Sequence, residues 1–485
     1  MKDTILISCF SLLISILFIN SCNSVNTGKP RLVVLTDIGG DPDDIQSLRR
    51  LLVYANEFRI EGLIATAKNT PSPGRTYEIR TDIIYQAIDD YAEIRDNINQ
   101  HAQVYPTAES LRAVVFGGQE NRGVDNLIPG LATPGSQHII KRTNASKEPL
   151  YIVIWGGAHD LAQALLDMRS TYSTKKAEQF IRKLRVYAIG DQDGWNNVFS
   201  MGTGEWIRKN FPELRYVETS PPWIHNQTAS FRGMYQNDSR GGDHPGLPLV
   251  RPGIELMNDH TWILENVSAW GPLGEGYPPE VNQNPNSERN TKGVKEGDTP
   301  SWFFVLPHGL NDPENPEWGG WGGRFVHHTD GYYTEAEDDH WSGADDASLR
   351  RKWTVARWRE AYQNDFAARM RWCLLSYKEA NHNPVAIINN NSRDPILKLK
   401  VKPGENIKLD ASASYDPDGD NITFNWWIYN EISSAKVILS NNTEPVSDIS
   451  VPVSATKGEI HLILEVKDDG KPELYSYRRI ILQIK

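Results

Sequence analysis

The sequence predicts a parallel α/β domain followed by a smaller all-β domain. From Arg31 to about residue 380, short apolar runs that suit buried strands alternate with stretches of helical periodicity, which is typical of a parallel sheet covered by helices. After Pro384 the helical periodicity ends, and short strand-like segments follow one another between clusters of turn residues. We therefore expect one domain at 30–380 and a second at 384–485.

The composition is that of an ordinary globular protein and argues against a nucleic acid partner. The chain has 485 residues, of which 39% are hydrophobic and 23% are charged, and it is long enough for two or more domains. Its formal net charge is −11, whereas a protein that binds phosphate backbones needs a basic surface. The 15 Trp residues could stack on sugar rings or fill the core, and composition does not separate these roles.

Residues 1–22 have the features of an export signal. The apolar run Ile5–Ile19 has the length of a signal sequence and is short for a membrane-spanning helix. The string Ile19-Asn20-Ser21-Cys22 resembles a bacterial lipobox, in which the cysteine becomes the lipidated N-terminus; simple secretion with cleavage nearby is the alternative. We expect an exported protein, in the periplasm or as an outer-membrane lipoprotein anchored at Cys22. Cys373 then has no disulfide partner, and we expect it in the core.

Four acidic residues follow the first predicted strand. The apolar run 32–35 ends at Thr36, and a tight loop then leads into a helix. The four acids in that loop and at the helix start are Asp37, Asp41, Asp43 and Asp44. So many like charges need a positive partner, and a hard divalent cation such as Ca²⁺ takes several carboxylate ligands. An Asp-rich turn that caps the helix is the alternative, although one Asp would be enough for that.

The segment Thr36–Asp44 resembles the signature of the nucleoside hydrolases. In that family a first Asp and a later Asp-Asp pair bind one Ca²⁺ and the hydroxyls of the sugar. The resemblance implies that Asp37 and Asp44 bind Ca²⁺, that Asp43 binds the sugar, and that Asp37 is also the general base. The gap between Asp37 and the pair is two residues longer here than in the family, so Asp41 could take the place of Asp43.

Three further segments at predicted strand ends match parts of the same family. Asn69 follows the second predicted strand, where the family has an Asn that reaches the sugar; a simple loop Asn is the alternative. After the strand 150–154, the resemblance implies that the backbone carbonyl of Trp155 binds Ca²⁺ and leaves its side chain available to stack on a sugar. After the strand 184–189, the residues expected to hold the sugar are Asp193, Trp195 and Asn196.

A segment late in the sequence supplies the last expected metal ligand but lacks the histidine that serves as general acid in many nucleoside hydrolases. Asp298 matches the Asp that closes the Ca²⁺ shell in nucleoside hydrolases. Many of those enzymes have a His directly before that Asp, which protonates the leaving group, whereas this chain has Gly297. This difference counts against nucleosides as substrates. The candidates to replace the histidine are Glu296, His308 and His244, the last within an irregular stretch, 220–295, that we expect to cover the site.

The most distinctive stretch of the chain is a Gly-rich and Trp-rich segment, 306–325. It resembles a family of secreted bacterial proteins described as cellulose-binding, which carry a nucleoside hydrolase-like domain, and the resemblance covers most of residues 30–485. Such a segment near the site would suit a glycan groove, or it could pack on the core.

The pattern of residues 347–380 predicts one long amphipathic helix.

The C-terminal domain is expected to be an immunoglobulin-like β-sandwich. Its strand candidates are 396–401, 407–411, 422–428, 460–466 and 478–484. The segment Leu409–Asp420 resembles the start of polycystic-kidney-disease-type immunoglobulin-like domains, which implies a sandwich of about 100 residues. Asp416, Asp418 and Asp420 could bind a second Ca²⁺, but Asp-Pro-Asp-Gly is also an ordinary turn, which we favour.

Two functions are compatible with these residues. The first is a Ca²⁺-dependent hydrolase that cleaves a glycosidic bond with a metal-activated water. The second is a glycan-binding protein without catalysis on the same fold, because fold alone does not establish activity. The missing histidine favours the second function and the retained acids favour the first, which we prefer. In both cases the partner is a carbohydrate, and because the parent fold often forms dimers or tetramers, a homo-oligomer stays open.

Overall fold

The computed structural model describes most of the chain after the expected export signal. The described residues are 28–40, 42–67, 78–102, 104–193, 201–235, 248–281, 291–392 and 394–485. Within these ranges, no helix combines the length and the hydropathy needed to cross a membrane. The expected export signal at 1–22 lies outside the described residues and stays a prediction.

A mostly parallel sheet forms the centre of the first domain. The strands in the described part of this domain are β1 Arg31–Thr36, β2 Arg59–Ala65, β3 Val115–Gly117, β4 Leu150–Ile154, β5 Leu184–Ile189, β6 Arg215–Thr219, β7 Glu280–Val281, β8 Thr291–Lys292, β9 Phe325–His327 and β10 Tyr333–Glu335. Among the described residues, the large sheet has the order β3-β2-β1-β4-β5-β6-β10-β9, and β7 and β8 form a separate ribbon. Neighbours in the large sheet are parallel except β9 and β10.

The central strands are apolar along most of their length because both faces of the sheet are covered. In β1, Leu32 and Val34 belong to one hydrophobic cluster, whereas Val33 and Leu35 belong to another. Successive side chains of a strand point to opposite faces, so one cluster lies on each side of the sheet. This double burial explains the unbroken apolar runs from which the strands were predicted.

Helices cover both faces of this sheet. Those in the described part of the chain are α1 Asp43–Val53, α2 Thr81–His101, α3 Ala108–Arg112, α4 Pro134–Asn144, α5 His159–Thr171, α6 Thr174–Ile181, α7 Thr203–Asn210, α8 His260–Ile263, α9 Pro272–Glu275, α10 Thr299–Phe303, α11 Ala347–Ala356 and α12 Arg359–Arg371. The described parts of the irregular stretch 220–295 contain mostly short helical turns. Cys373, just after α12, is 2% exposed and lies in the core, as expected.

The prediction of one long helix over 347–380 is wrong, because the chain forms α11 and α12 with a break between them. Trp358 has φ −98° and ψ 4°, which ends the regular helical geometry. The Arg357 guanidinium, at this break, pairs with Asp338 at 2.8 Å. Neither Gly nor Pro marks the break, so the hydrophobic periodicity alone does not reveal it.

The second domain is a β-sandwich of two sheets. Its strands in the described residues are β11 Ile396–Val401, β12 Asn406–Asp410, β13 Ile422–Ile428, β14 Ile438–Ser440, β15 Val446–Ser450, β16 Gly458–Asp468 and β17 Tyr475–Ile484. One sheet has the order β11-β17-β16-β13 and the other β12-β15-β14. Only the pair β11 and β17 is parallel among these described strands. The predicted fold class, α/β followed by all-β, is confirmed.

The two domains meet at a buried junction to which the Gly-Trp segment contributes. Arg479 of β17 is fully buried and donates hydrogen bonds to the carbonyl oxygens of Leu310 at 2.5 Å and of Trp318 at 2.8 Å. Trp318 and Trp321 are only 7% and 3% exposed. Of the two alternatives for the segment 306–325, these contacts support packing on the core rather than a glycan groove.

A second set of contacts at the junction centres on a buried carboxylate. Asp338 is fully buried and accepts hydrogen bonds from Arg324 Nε at 2.6 Å, from Arg357 Nη1 at 2.8 Å and from the Tyr429 hydroxyl at 2.6 Å. Tyr429, together with Tyr477 of β17, also belongs to the hydrophobic cluster of the first domain. The core of the first domain thus extends onto residues of the sandwich, which also has a hydrophobic cluster of its own.

The connection between the domains is buried as well. Asn381 is 8% exposed and His382 is 6% exposed. The Asn381 carbonyl accepts a hydrogen bond from Trp372 Nε1 at 2.9 Å, and the His382 backbone N–H donates to Asp418 at 2.7 Å. These contacts tie the connecting segment to both domains.

Asp416, Asp418 and Asp420 form a turn in the sandwich. Asp416 Oδ1 accepts hydrogen bonds from the backbone N–H groups of Asp418 at 2.8 Å and of Asp420 at 3.1 Å. Asp side chains that bond to backbone groups two or more residues ahead stabilise turns of this kind. The geometry agrees with the turn that the sequence favoured.

Candidate functional site

The candidate site lies at the carboxyl ends of three neighbouring strands, β1, β4 and β5. After β1 the chain turns at Gly39, whose φ of +92° favours glycine, and helix α1 then begins at Asp43. Loops that begin with Trp155 and Gly190 follow β4 and β5. Because β4 pairs with both β1 and β5, the three loops meet at one edge of the sheet. Ligands of open parallel sheets bind at this edge.

Three carboxylates converge here and form what we call the acidic cluster: Asp43, Asp44 and Asp298. Each of the three carboxylates has one oxygen atom that lies within 4.8 Å of an oxygen atom on each of the other two. Asp44 and Asp298 are each 2% exposed, and the Thr36 hydroxyl donates a hydrogen bond to Asp44. The sequence assigned Asp44 and Asp298 to the metal and Asp43 to the sugar, whereas the structure brings all three together. Two oxygens bound to one Ca²⁺ at 2.3–2.6 Å are at most about 5 Å apart, so this spacing fits a single ion.

Asp37, expected as a further metal ligand and as the general base, faces an arginine. Arg122 Nη2 donates to Asp37 Oδ2 at 2.8 Å, and both side chains are buried. Arg122 Nε also donates to the Ala67 carbonyl at 2.9 Å. The guanidinium therefore competes with a proton or a metal ion for this carboxylate. No motif marks Arg122 in the sequence, and its role at the site was not predicted.

Asp193, expected to bind the sugar, is buried next to the same arginine. Its Oδ1 lies 3.9 Å from Arg122 Nε, and its Oδ2 accepts a hydrogen bond from the Thr203 hydroxyl. A Cβ on Gly157 would lie 2.3 Å from Asp193 Oδ1, and a Cβ on Gly156 would lie 2.6 Å from the Oδ1 of Asp37. The two glycines after β4 thus provide the space in which both carboxylates lie.

The Trp155 carbonyl, the expected backbone ligand, accepts a hydrogen bond from the Gln192 side-chain amide. A carbonyl oxygen has two lone pairs, so this bond leaves capacity for one more partner. The indole of Trp155 is 1% exposed and donates to Ser301 Oγ at 2.9 Å. Its side chain is therefore part of the core and is not available to stack on a sugar. Gln192 is a second site residue that the sequence did not single out.

Two more buried acids lie near these loops and were not predicted. Asp160, beside His159 at the start of α5, accepts a hydrogen bond from the Thr133 hydroxyl. Burial raises the pKa of Asp160 and lowers the pKa of His159. Asp191 caps helix α7 by accepting a hydrogen bond from the Glu205 backbone N–H at 2.7 Å, and burial raises the pKa of Asp191 to about 6. These groups fix the loops that follow β4 and β5.

Glu296, a candidate replacement for the missing histidine, is held in a buried network. Its carboxylate lies 2.5 Å from Arg50 Nε and accepts hydrogen bonds from the Tyr277 hydroxyl at 2.5 Å and from Thr299 Oγ1 at 2.7 Å. It is fully buried. This setting indicates a structural role, and we do not retain Glu296 as a catalytic acid.

The position of the missing histidine is closely surrounded, and a side chain there would require its neighbours to shift. A Cβ on Gly297 would lie 2.9 Å from the Tyr235 hydroxyl. The candidate His308 stacks on Trp321 with 4.6 Å between the ring centroids. Burial lowers the pKa of His308 to about 3, so it is neutral at ordinary pH and unsuited to donate a proton.

Several residues predicted for the site fall outside the described part of the chain. They are Asp41, Asn69, Trp195, Asn196 and His244. Their assignments to sugar binding or catalysis stay predictions.

Two family models match this chain. The model described as the nucleoside hydrolase-like domain of cellulose-binding Sde182 matches residues 31–325, and the model described as the C-terminal domain of cellulose-binding protein Sde0182 matches residues 406–484. The chain belongs to this family. The resemblance that the sequence motifs indicated is therefore confirmed. The matched part of the Sde182 nucleoside hydrolase-like domain contains the whole acidic cluster and the loops after β1, β4 and β5.

One solved structure agrees with this assignment. A structure described as a nucleoside hydrolase-related hypothetical protein from Saccharophagus degradans, associated with carbohydrate metabolism, is 30% identical, and the match covers 94% of this chain and 100% of that chain with a TM-score of 0.74. The PKD domain from the KIAA 1837 protein is 22% identical over 18% of this chain and 80% of that chain, with a TM-score of 0.15, which is too low to support a conclusion. No curated protein matches the chain. The nucleoside hydrolase-like fold of the Sde182 family is thus confirmed.

Proposed function

We propose that this protein is a Ca²⁺-dependent hydrolase of glycosidic bonds. The observation that carries the proposal is the acidic cluster, in which oxygens of Asp43, Asp44 and Asp298 lie within 4.8 Å of one another at the carboxyl edge of the sheet. Carboxylates at this spacing suit one hard divalent cation. The association of the Saccharophagus degradans relative with carbohydrate metabolism supports a sugar-containing substrate.

The three carboxylates would hold the ion, with the Trp155 carbonyl as a further ligand. A Ca²⁺ ion bound there would supply a water of lowered pKa at the sheet edge. Asp43 and Asp44 open helix α1, where the partial positive charge of the helix N-terminus favours acidic side chains. Asp193 and Arg122, 3.9 Å apart, would orient the sugar hydroxyls, with the carboxylate accepting and the guanidinium donating hydrogen bonds.

The proton transfers differ from those that the sequence alone suggested. Because Asp37 is paired with Arg122, we assign Asp37 to positioning Arg122 and the sugar. Asp43, the half-buried carboxylate of the acidic cluster, would accept the proton that the attacking water loses. The carboxylates at this edge would stabilise the positive charge that develops at the anomeric carbon. His244 remains our candidate for the group that protonates the leaving group.

A second function is a glycan-binding protein without catalysis. Two observations favour it: the ion pair between Asp37 and Arg122, and the glycine at position 297, where many nucleoside hydrolases have a histidine. The description of the family as cellulose-binding agrees with it. For either function we propose export and anchoring through a lipid at Cys22.

The test is Ca²⁺-dependent sugar release by the purified protein without residues 1–22. Nucleosides and a panel of plant and host glycans serve as substrates, with and without a chelator. We expect release that stops on chelation and that falls at least about 100-fold in Asp44→Ala, because a lost metal removes several kcal/mol of transition-state stabilisation. Asp96→Ala, whose side chain is 93% exposed on α2, is the control and should match the wild type.

The opposite results are equally informative. Hydrolysis that persists unchanged in Asp44→Ala would exclude the acidic cluster as the catalytic centre. No release from any substrate, together with retention on insoluble cellulose, would support the binding protein.

A further inference from the structure

A groove lies between the two domains, away from the carboxyl edge of the sheet. We call it the junction groove; its walls are α11 and α12 on one side and β13, β16 and β17 of the sandwich on the other. Its volume is about 550 Å³, which lies within the range of about 300–1,000 Å³ that is usual for ligand sites. None of the residues assigned to the acidic cluster lines it.

Aromatic rings form a large part of the groove. Trp427 of β13 packs on Trp358 with 5.9 Å between ring centroids and an interplanar angle of 38°. Tyr475 stacks on Tyr477 with 6.2 Å between centroids and an angle of 10°. Trp358 and Tyr477 are buried, whereas Trp427 and Tyr475 are half-buried and keep part of each ring accessible. The buried rings thus support two rings whose apolar surface a ligand can contact.

The polar groups beside these rings are mainly hydrogen-bond acceptors. Glu465 Oε2 accepts a hydrogen bond from Asn425 Nδ2 at 2.7 Å, and the exposed Asn425 and the half-buried Glu465 both line the groove. Carboxylates accept hydrogen bonds, and hydroxyl groups donate them, so a polyol matches this wall. The pairing of accessible aromatic rings with carboxylate and amide groups is therefore suited to a sugar ring, which has apolar faces and a polar rim.

The charge of the lining argues against an anionic ligand. Four lining residues are acidic: Asp339, Glu360, Glu431 and Glu465. Only Arg251 and Arg357 are basic, and the Arg357 guanidinium already lies 2.8 Å from Asp338 and 3.3 Å from Glu431. A phosphorylated or uronic acid ligand would meet excess negative charge, whereas a neutral sugar would not.

We propose that the junction groove binds a neutral oligosaccharide chain, with Trp427 and Tyr475 against the sugar faces and Glu465 and Asn425 as partners of the hydroxyls. Such binding needs no chemistry at the acidic cluster, so the proposal goes beyond the hydrolysis proposed above. The two rings and the two polar partners all belong to the sandwich, whereas Trp358, between α11 and α12, supports Trp427 from the first domain.

The test is calorimetric titration of the purified chain without residues 1–22 with cellohexaose as the probe. We expect the wild type to bind and Trp427→Ala to bind at least about tenfold more weakly, because a central aromatic contact is usually worth more than about 1 kcal/mol. Because Trp427 also packs against the core of the first domain, Asn425→Ala serves as a second variant at an exposed position, with an expected loss of about threefold from one hydrogen bond.

Two control variants separate this site from other surfaces. Tyr415→Ala removes an aromatic ring that is 53% exposed on the same domain and does not line the groove, and it should bind like the wild type. Asp44→Ala should also bind like the wild type, even if it abolishes hydrolysis. An acidic oligogalacturonide of the same length should bind more weakly than cellohexaose.

Four outcomes would overturn the proposal. The first is no binding of cellohexaose by the wild type, and the second is wild-type affinity in both Trp427→Ala and Asn425→Ala. The third is an equal loss of affinity in Asp44→Ala, which would assign the binding to the acidic cluster. The fourth is tighter binding of the acidic oligosaccharide, which would exclude a neutral ligand.

Discussion

The domain junction and the acidic cluster both bury carboxylates, but they surround them differently. At the junction, Asp338 accepts hydrogen bonds from two arginines and a tyrosine at 2.6–2.8 Å. Burial alone would raise the pKa of Asp338, but the Arg357 and Arg324 guanidiniums lower it below its usual range. At the sheet edge, Asp43, Asp44 and Asp298 instead lie within 4.8 Å of one another. At the junction, protein groups of opposite charge thus balance the carboxylate, whereas the acidic cluster brings like charges together. This difference supports our proposal that the acidic cluster binds a cation.

Asp338→Ala should have the largest effect on stability. It would leave the Arg324 and Arg357 guanidiniums buried without their carboxylate, which costs about 3–5 kcal/mol of the free energy of unfolding. Urea denaturation measures this change. The neighbouring Asp339→Ala is the control: its side chain is 79% exposed, so we expect a change within about 0.5 kcal/mol. A small effect of Asp338→Ala would mean that the junction does not depend on this paired charge.

Calcium should stabilise the protein through the acidic cluster. At a concentration of about 100 times the dissociation constant, a ligand that binds only the folded state adds about 2.7 kcal/mol to the free energy of unfolding. Asp298→Asn should lose this gain, whereas Asp96→Asn on α2 should keep it. Thermal unfolding with and without Ca²⁺ and chelator measures both. An equal Ca²⁺ gain in Asp298→Asn would place the ion elsewhere.

Glu335 is a third type of buried carboxylate, since its closest partners are the neutral donors of Ser220 and Ser230 at 2.8–3.2 Å. Burial raises the pKa of Glu335 from 4.5 to about 6. The folded state therefore binds this proton more tightly than the unfolded state. Its contribution to stability should fall by about 2 kcal/mol as the pH rises from about 4.5 to 6, and then stay constant.

Glu335→Gln tests this pH dependence because it removes the titrating group but keeps the shape. Relative to the variant, the wild type should be less stable at pH 7 than at pH 4 by about 2 kcal/mol. Urea denaturation across this pH range measures the difference. Parallel stability curves for the two proteins would show that the pKa of Glu335 is the same in the folded and unfolded states.

Local patterns predicted the framework of the fold well. The strands β4 and β5 have the bounds that their apolar runs indicated, because a strand buried on both faces needs an unbroken run. The break between α11 and α12 was missed, because neither Gly nor Pro marks it in the sequence. Periodicity records which face of a helix is apolar and does not record where the backbone leaves helical geometry.

The candidate site was predicted only in part, because contacts between residues far apart in the sequence set the directions of its side chains. The motifs located the acids on the correct loops, and Asp44 and Asp298 do meet, although they are far apart in sequence. The sequence spacing did not show that Asp43 points to the same place or that Asp37 points to Arg122. The latter contact joins residues 85 positions apart and depends on how two loops fold over the sheet edge. Side-chain direction in an irregular loop is set by such tertiary contacts.

The buried connection at Asn381 and His382 has a consequence for how this architecture can change during evolution. Domains joined by an exposed tether can be exchanged by gene fusion, because neither domain depends on the surface of the other. Here the tether itself is packed, and Tyr429 and Tyr477 of the sandwich complete the core of the first domain. A recombination event that replaced the sandwich would uncover that core. The two domains should therefore be inherited, and degraded by proteases, as one unit.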